Sequence, residues 1–319
     1  MNLLFDQYVI KEHYEKAADA VLLNGDAFDI LKQLPNKIVK LIVSSPPYNI
    51  GKVYEKEVSL EEYLAWQEKI ILELYRICHD NGSIVWQIGN YVDKGEIFPL
   101  DIYFYPLFKK IGFKLRNRII WHFGHGLHAS KRFSGRYEVL LWFTKNDQYT
   151  FNLDAVRVPS KYPGKRNYKG KNIGKPSGNP LGKNPSDYWE IIIDEWNSGI
   201  IDIPNVKSNH PEKTQHPCSF PIELIERCVL AFTNENDSVL DPFGGVGSSL
   251  IAALKHKRRG IIIDKEKKYI DITKERISKF SDGSLKMRKI GTPIFKPTGK
   301  EKVAQIPLEW RTNNTEVAL

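Results

Sequence analysis

Ser45, Pro46, Pro47 and Tyr48 follow directly on a short apolar run, residues 41–43. The run is rich in β-branched residues, the composition of a buried strand. Two consecutive prolines lack N–H donors and fix φ, so the strand stops there and the chain leaves it as a rigid corner. The corner presents a hydroxyl (Ser45), a carbonyl with no N–H on its own residue (Pro46) and a flat aromatic face (Tyr48). An exocyclic amino group on a heterocycle has two N–H bonds that need acceptors and a ring that needs a surface to stack on. Ser45 Oγ and the Pro46 carbonyl supply the acceptors, and Tyr48 supplies the surface. A proline-terminated strand end without chemistry is the plainer reading of the same residues.

A second stretch, residues 240–247, reads as a strand end, a glycine-rich turn and a helix start. Glycines let a backbone approach a ligand and adopt positive φ, and a helix N-terminus favours a negative group. A further strand, 260–264, ends in Asp264, an acid suited to a ribose diol. Together these describe a site for an adenosine-containing ligand. No Lys follows the last glycine, as a phosphate-binding loop requires, and the third glycine of the dinucleotide fingerprint is missing. S-adenosylmethionine is the adenosine ligand with a carboxylate end that then remains, its cationic sulfonium near Asp241.

These stretches sit in an alternation of strands and helices, the pattern of an α/β fold. Strands are expected at 21–24, 41–43, 83–88, 114–122, 137–143, 237–241 and 260–264. Helices are expected at 27–34, 59–79, 100–111, 221–232, 250–255 and 265–280. Ser59 and Glu62 read as a capping box, with Leu64, Ile70, Ile71, Leu74 and Ile77 on the buried face that follows. Asn81-Gly82 reads as a turn, and Gly112 as a helix stop. Residues 1–20 and 281–319 carry little pattern.

Residues 145–215 break the alternation. Lys161, Lys165, Arg166, Lys169, Lys171, Lys175 and Lys183 come with no acid among them and are interleaved with Tyr162 and Tyr168. Basic and aromatic side chains in an extended loop suit phosphate contacts and base stacking; a solvated surface loop is the alternative. Lys131 and Arg132 in a polar loop are further candidate contacts to nucleic acid, and Lys52 beside the corner is either such a contact or an ordinary loop side chain. The formal net charge of +9 favours a polyanionic partner. His125 and His128 read better as loop residues facing such a partner than as bases or metal ligands, and no His, Cys and carboxylate set has metal spacing. Asn49 flanks the corner and is either a nucleotide contact or an ordinary loop side chain. Cys78, Cys218 and Cys228 show no C-x-x-C spacing and fit the reduced thiols of a cytoplasmic protein. No apolar run approaches the ~20 residues of a membrane span, and the first residues lack a signal-peptide pattern.

Taken together, the chain resembles the DNA amino-methyltransferases, which move a methyl group from S-adenosylmethionine to N4 of cytosine or N6 of adenine. Their (Asp/Asn/Ser)-Pro-Pro-(Tyr/Phe) motif stands here as Ser45-Pro46-Pro47-Tyr48, and their Phe-x-Gly-x-Gly motif as Phe243-Gly244-Gly245-Val246-Gly247. The first motif precedes the second with the basic insertion between them, the order of the permuted β group. The resemblance implies a Rossmann-like methyltransferase fold with circularly permuted motifs. It divides the chain into a catalytic half (20–144), an inserted target-recognition region (145–215), a cofactor-binding half (216–280) and a tail (281–319). It implies that Asp26 lies near the cofactor adenine, that Ser219 helps wall the methionine end, and that Asp264, five residues before Tyr269, is the ribose acid. The glycine usual two residues before that acid is Ile262 here. The implied partner is double-stranded DNA, with the target base flipped out of the helix. A restriction-modification setting is implied, with any restriction endonuclease on another chain, and a homodimer is allowed. Ser in the first motif position is more usual in the cytosine-N4 enzymes, which favours cytosine; N6 of adenine is the alternative. Methylation of RNA or of a protein amine or amide, and a non-catalytic DNA-binding role on this fold, are the rival readings.

Overall fold

The apolar runs become strands of one sheet, and the amphipathic stretches become helices that cover its two faces. The computed structural model describes residues 3–5, 8–49, 58–123, 129–189, 206, 210–214 and 221–290. The strands are β1 (Leu3–Phe5), β2 (Tyr8–Lys11), β3 (Ala20–Asn24), β4 (Val39–Ser44), β5 (Cys78–Ile88), β6 (Asn90–Asp93), β7 (Glu96–Pro99), β8 (Lys114–His122), β9 (Tyr137–Thr144), β10 (Tyr188–Trp189), β11 (Ser238–Asp241) and β12 (Arg259–Asp264). The helices are α1 (Ala27–Gln33), α2 (Leu60–Ile77), α3 (Leu100–Ile111), α4 (Leu153–Val156), α5 (Ile222–Phe232), α6 (Ser248–Lys255) and α7 (Lys267–Ser281).

The main sheet runs β1-β2-β3-β12-β11-β4-β5-β9-β8-β10. From β2 to β5 every neighbour is parallel; β9 then pairs antiparallel with β5, and β8 antiparallel with β9. Strands buried on both faces need consecutive apolar side chains, which is why the middle of β4 reads Leu41-Ile42-Val43. Alternate residues of β4 feed two cores. Leu41 and Val43 pack with α5, α6 and α7, while Val39 and Ile42 pack with α1, α2 and α3. This is a three-layer α/β/α arrangement, a Rossmann-like fold. No helix among the described residues is long and apolar enough to cross a membrane.

The capping box of α2 is present: Ser59 Oγ accepts from Glu62 N–H, and the Glu62 carboxylate accepts from Ser59 N–H. Its buried face differs slightly from the expected one. Tyr63 and Gln67 are buried with Ile70, Ile71, Leu74 and Ile77, and Leu64 is only half-buried. Each fully buried Ile or Leu contributes roughly 1.5–3 kcal/mol, so this face alone fixes the helix on the sheet. Gly112 ends α3 in the left-handed region at φ 115°.

Three expectations are corrected. Asn81-Gly82 is not a turn but part of β5, where the pairing with β4 slips between Val39–Cys78 and Leu41–Ser83. A bulge forms here, and only glycine fits, because a Cβ at residue 82 would lie 2.8 Å from the Lys40 carbonyl. The weakly patterned N-terminus supplies β1 and β2, which extend the sheet. At the other end, Leu285 and Met287 pack against the core.

Candidate active site

Because β2, β3, β12, β11, β4 and β5 are parallel, their carboxyl ends share one edge of the sheet, where open α/β sheets gather ligands. Ser45 to Tyr48 leave β4 at this edge, and the glycine-rich turn leaves β11 beside it. β4 and β11 are hydrogen-bonded neighbours, with Leu41 paired to Val239 and Ile42 to Leu240. The two stretches singled out in the sequence are therefore adjacent in space.

Their link is direct. Ser44 Oγ donates to Asp241 Oδ1 at 2.5 Å. The same carboxylate accepts from Ser249 Oγ at 2.8 Å and from Phe243 N–H at 3.1 Å. Asp241 is fully buried, and that burial pushes its pKa up to about 6 against the lowering effect of these bonds. Its oxygens face the turn and β4, so it joins the two halves of the site.

The corner itself is braced from three sides. Tyr63 on α2 donates its hydroxyl proton to the Pro47 carbonyl at 2.7 Å. Ser45 Oγ and Tyr48 OH lie 3.0 Å apart, and Tyr48 OH donates to Glu138 Oε2 on β9 at 3.4 Å. Gln87 Nε2 on β5 donates to the same Glu138 oxygen. The Tyr48 ring lies over Gly89, where a Cβ would come within 3.2 Å of Cε2. Pro46 is buried, and Ser45, Pro47 and Tyr48 are half-buried. Asn49 takes a left-handed φ of 58°, and its amide closes on Val58: Nδ2 donates to the carbonyl at 2.7 Å and Oδ1 accepts from N–H at 2.9 Å. That amide is thus spent in holding Val58 against Asn49.

The glycine-rich turn is held from α7. Gly245 and Gly247 adopt φ of 51° and 76°. Gly244 has no room for a side chain, since its Cβ would lie 2.6 Å from Ile262 Cβ. The Ile that replaces the family's usual glycine thus packs on the turn, while Gly260 admits Leu250 of α6. Arg276, buried in α7, donates to the Val246 carbonyl, and Thr273 Oγ1 donates to the Gly245 carbonyl at 3.4 Å. Burial lowers the Arg276 pKa to about 10, which leaves it charged at neutral pH. Phe243 packs between Trp66 of α2 and Trp86 of β5, with ring centroids 5.7 and 6.1 Å away.

Asp264, at the end of β12, accepts from Gly245 N–H and from Glu266 N–H, each at 2.8 Å, and burial raises its pKa. Asp26 is exposed and caps α1, its Oδ1 accepting from Phe28 N–H at 2.9 Å and from Asp29 N–H at 3.3 Å. Asn24 Nδ2 ties the ends of β3 and β12 together through the Asp264 and Lys265 carbonyls. A positive-φ glycine turn, a helix start and two acids on adjacent strand ends fit an adenosine ligand with a charged amino-acid tail.

Lys131, Arg132, Lys161, Lys165, Arg166, Lys169 and Lys171 are all exposed. Tyr162 and Tyr168 are exposed with them, and Lys161 and Lys169 lie 5.5 and 5.6 Å from the ring centres of Tyr162 and Tyr168. Arg166 also braces its own loop by donating to the Gly174 carbonyl at 2.6 Å. Lys52, His125, His128, Cys218, Ser219 and residues 291–319 lie outside the described residues. Cys78 and Cys228 are buried free thiols with pKa pushed up to about 12 by burial, too high to act as nucleophiles.

Glu138, Gln87, Gly89 and Arg276 were missed in the sequence. Each lies outside the two motifs, on an element that reaches the site only through strand pairing or helix packing. A charged residue in the otherwise apolar run of β9 was the one available signal for Glu138.

The family model for N6/N4 methyltransferases, described as DNA methylase, matches residues 39–275. The Type II methyltransferase M.BglII of Bacillus subtilis is 45% identical over 269 residues, spanning 84% of this chain and 70% of that protein. The DNA adenine methyltransferase YhdJ of Escherichia coli (strain K12) is 30% identical, spanning 85% of this chain and 88% of that protein. Among solved structures, the cytosine-N4-specific PvuII DNA methyltransferase superposes with a TM-score of 0.63 at 18% identity, over 84% of this chain and 93% of that one, a likeness of fold.

Proposed function

The chain belongs to the N6/N4 DNA methylase family, and from that premise we propose that it methylates N4 of cytosine in duplex DNA, on a base flipped into the corner formed by Ser45, Pro46, Pro47 and Tyr48. The observation that carries the reading is the Ser44–Asp241 bond, which sets that corner against the glycine-rich turn.

S-adenosylmethionine, the methyl donor of the family, supplies a methyl group on an electron-poor sulfonium. Asp264 would hold the ribose diol, and Asp26 would lie toward the adenine. The backbone of Gly244, Gly245 and Gly247, with Phe243 and Ser219, would line the methionine end. Asp241 acts there through its charge and through the two serines it holds. The chain's own work is on the amine. An aromatic amine is a poor nucleophile because its lone pair is delocalised into the ring. Ser45 Oγ and the Pro46 carbonyl accept its two N–H bonds, draw the nitrogen toward tetrahedral geometry and localise the lone pair. Positioning and electrostatics do the rest. Tyr48 stacks on the flipped ring, paying part of the unstacking cost. Residues 145–215 serve as the target-recognition region, and the basic, aromatic surface of residues 161–183 within it tracks the DNA backbone, with Lys52, Lys131 and Arg132 adding phosphate contacts.

Nucleoside mass spectrometry of duplex DNA incubated with the protein and S-adenosylmethionine tests this. N4-methylcytosine is the expected product. N6-methyladenine, the second reading favoured by the likeness to a DNA adenine methyltransferase, would overturn the choice of base and leave the class intact. Methylation of RNA or of peptide with none of DNA would overturn the class. Ser45→Ala is expected to lower the methyl-transfer rate by about 100-fold or more while calorimetric affinity for S-adenosylmethionine stays near wild type. A wild-type rate in that variant removes Ser45 from the mechanism. The Type II name of the relative suggests that the modification protects DNA from a nuclease on another chain.

A further inference from the structure

We propose that Glu138 is a positioning residue for methyl transfer, acting on Ser45 through the hydroxyl of Tyr48. The inference rests on the methyl-transfer reading above and extends it to a strand that neither motif includes.

Three groups stand in a row: Ser45 Oγ, Tyr48 OH at 3.0 Å from it, and Glu138 Oε2 at 3.4 Å from the phenol. An ionised carboxylate can only accept, so it sets the direction of the row. Tyr48 donates its proton to Glu138 and has only lone pairs left for Ser45. Ser45 therefore donates its proton to Tyr48, and its own lone pairs turn toward the substrate. That is the state an acceptor of an amine N–H requires. With a neutral end group the row can run the other way. Tyr48 then donates to Ser45, and the serine proton faces the amine, donor against donor.

The surroundings hold Glu138 to this task. Gln87, only 5% exposed, donates its amide N–H to the same carboxylate oxygen. Gly89 leaves the space in which the Tyr48 ring and the Glu138 side chain meet, since a Cβ there would lie 3.2 Å from the ring and 3.5 Å from Glu138 Cγ. Ile88 pairs with Val139 across β5 and β9, which places Gln87, Gly89 and Glu138 in one patch of the sheet edge.

The same row carries the proton released by the reaction. As the nitrogen forms its bond to the methyl carbon, the carbon–sulfur bond breaks and its electron pair stays on sulfur. The nitrogen is left with a positive charge. One proton passes from it to Ser45 Oγ, the serine proton passes to Tyr48, and the tyrosine proton passes to Glu138. Each hydroxyl ends with one proton, as it began, and the carboxylate gains one. Anionic Glu138 also favours the charge that builds on nitrogen in the transition state.

Single-turnover methylation of duplex DNA by wild type, E138Q, E138D, Y48F and the E138Q/Y48F double variant tests the row, with KM for DNA and calorimetric affinity for S-adenosylmethionine measured alongside. E138Q keeps the shape and removes the charge; its rate is expected to fall about tenfold or more with both affinities near wild type. E138D, which keeps the charge, is expected to recover part of the rate. Y48F breaks the row while leaving Glu138 and Gln87 in place, so it tests the same path if E138Q does not fold. Adding E138Q to Y48F is expected to cost nothing further. Additive losses, or a wild-type rate in E138Q, overturn the proposal. A wild-type enzyme inactive on duplex DNA would instead overturn the methyl-transfer reading on which it rests.

Discussion

Asp241 is the residue on which the two halves of the site meet, and its buried carboxylate makes stability depend on pH. Its folded pKa of about 6 lies above the usual carboxylate value. The fold therefore binds its proton more tightly than the open chain does. The stability it contributes is fully present below about pH 4 and is lost as pH rises through about 6. Asp241→Asn keeps the shape and does not ionise. In urea unfolding, the stability of D241N relative to wild type should therefore rise between pH 4 and 7 by a few kcal/mol. Glu212 also has a raised value, but it is present in both proteins and drops out of the difference; Asp264, whose charge helps to raise the Asp241 pKa, is coupled to it, and that coupling is part of the difference. A constant difference across that range would mean that the carboxylate titrates normally. The sequence made Asp241 legible as the acid before a glycine-rich turn. It did not reveal Ser44 as its partner, because the two are 197 positions apart and only the pairing of β4 with β11 brings them together.

At the scale of elements, the glycine-rich turn is a joint between β11 and α6 whose geometry is set from α7. Gly247 carries φ 76° at the start of α6, and a Cβ there would lie 2.5 Å from Thr273 Cγ2. Gly247→Ala is expected to cost roughly 1–3 kcal/mol, to lower the melting temperature by several degrees and to weaken binding of S-adenosylmethionine. Gly178→Ala is the control, since a Cβ there meets nothing within 4 Å. Equal melting temperatures for the two variants would show that the turn is not strained by a side chain. Long elements with end signals were legible: α3 with its terminal glycine stands where the sequence placed it, and α2 starts at its capping box but ends at Ile77, because Cys78 and His79 already belong to β5. Short strands were not. β1 and β2 have too few residues to show a period, and they are held by strand pairing, β2 on β3 and β1 on β2. The β6–β7 hairpin is too short to show a period as well. Its signal was the two-residue Lys94-Gly95 turn, with φ of 45° and 89°, a pattern of tight hairpins.

For the whole molecule, charge and topology are distributed differently. The net charge of +9 includes the exposed run from Lys161 to Lys183, which contains no acid. Replacing Lys161, Lys165, Lys169 and Lys171 by Gln is expected to weaken DNA binding across sequences and to flatten its salt dependence by about 0.9 in slope per lost phosphate contact. An unchanged slope would place the DNA elsewhere. The basic and irregular character of residues 161–183 was legible, but their backbone geometry was not, because bridges such as Arg166–Pro176 pair residues without any repeating pattern. The sheet order adds something that composition does not carry. β3 and β4 are made early, yet the strands that fill the gap between them, β12 and β11, are among the last. On the ribosome, one edge of β4 has no neighbour until the chain has been translated through Asp241, and one edge of β3 has none until Asp264. The nascent chain must keep those edges from aggregating in the meantime, a task that suits chaperones. The corner after β4 and the glycine-rich turn after β11 meet only once these two strands have paired, so the candidate site cannot form from its first half alone.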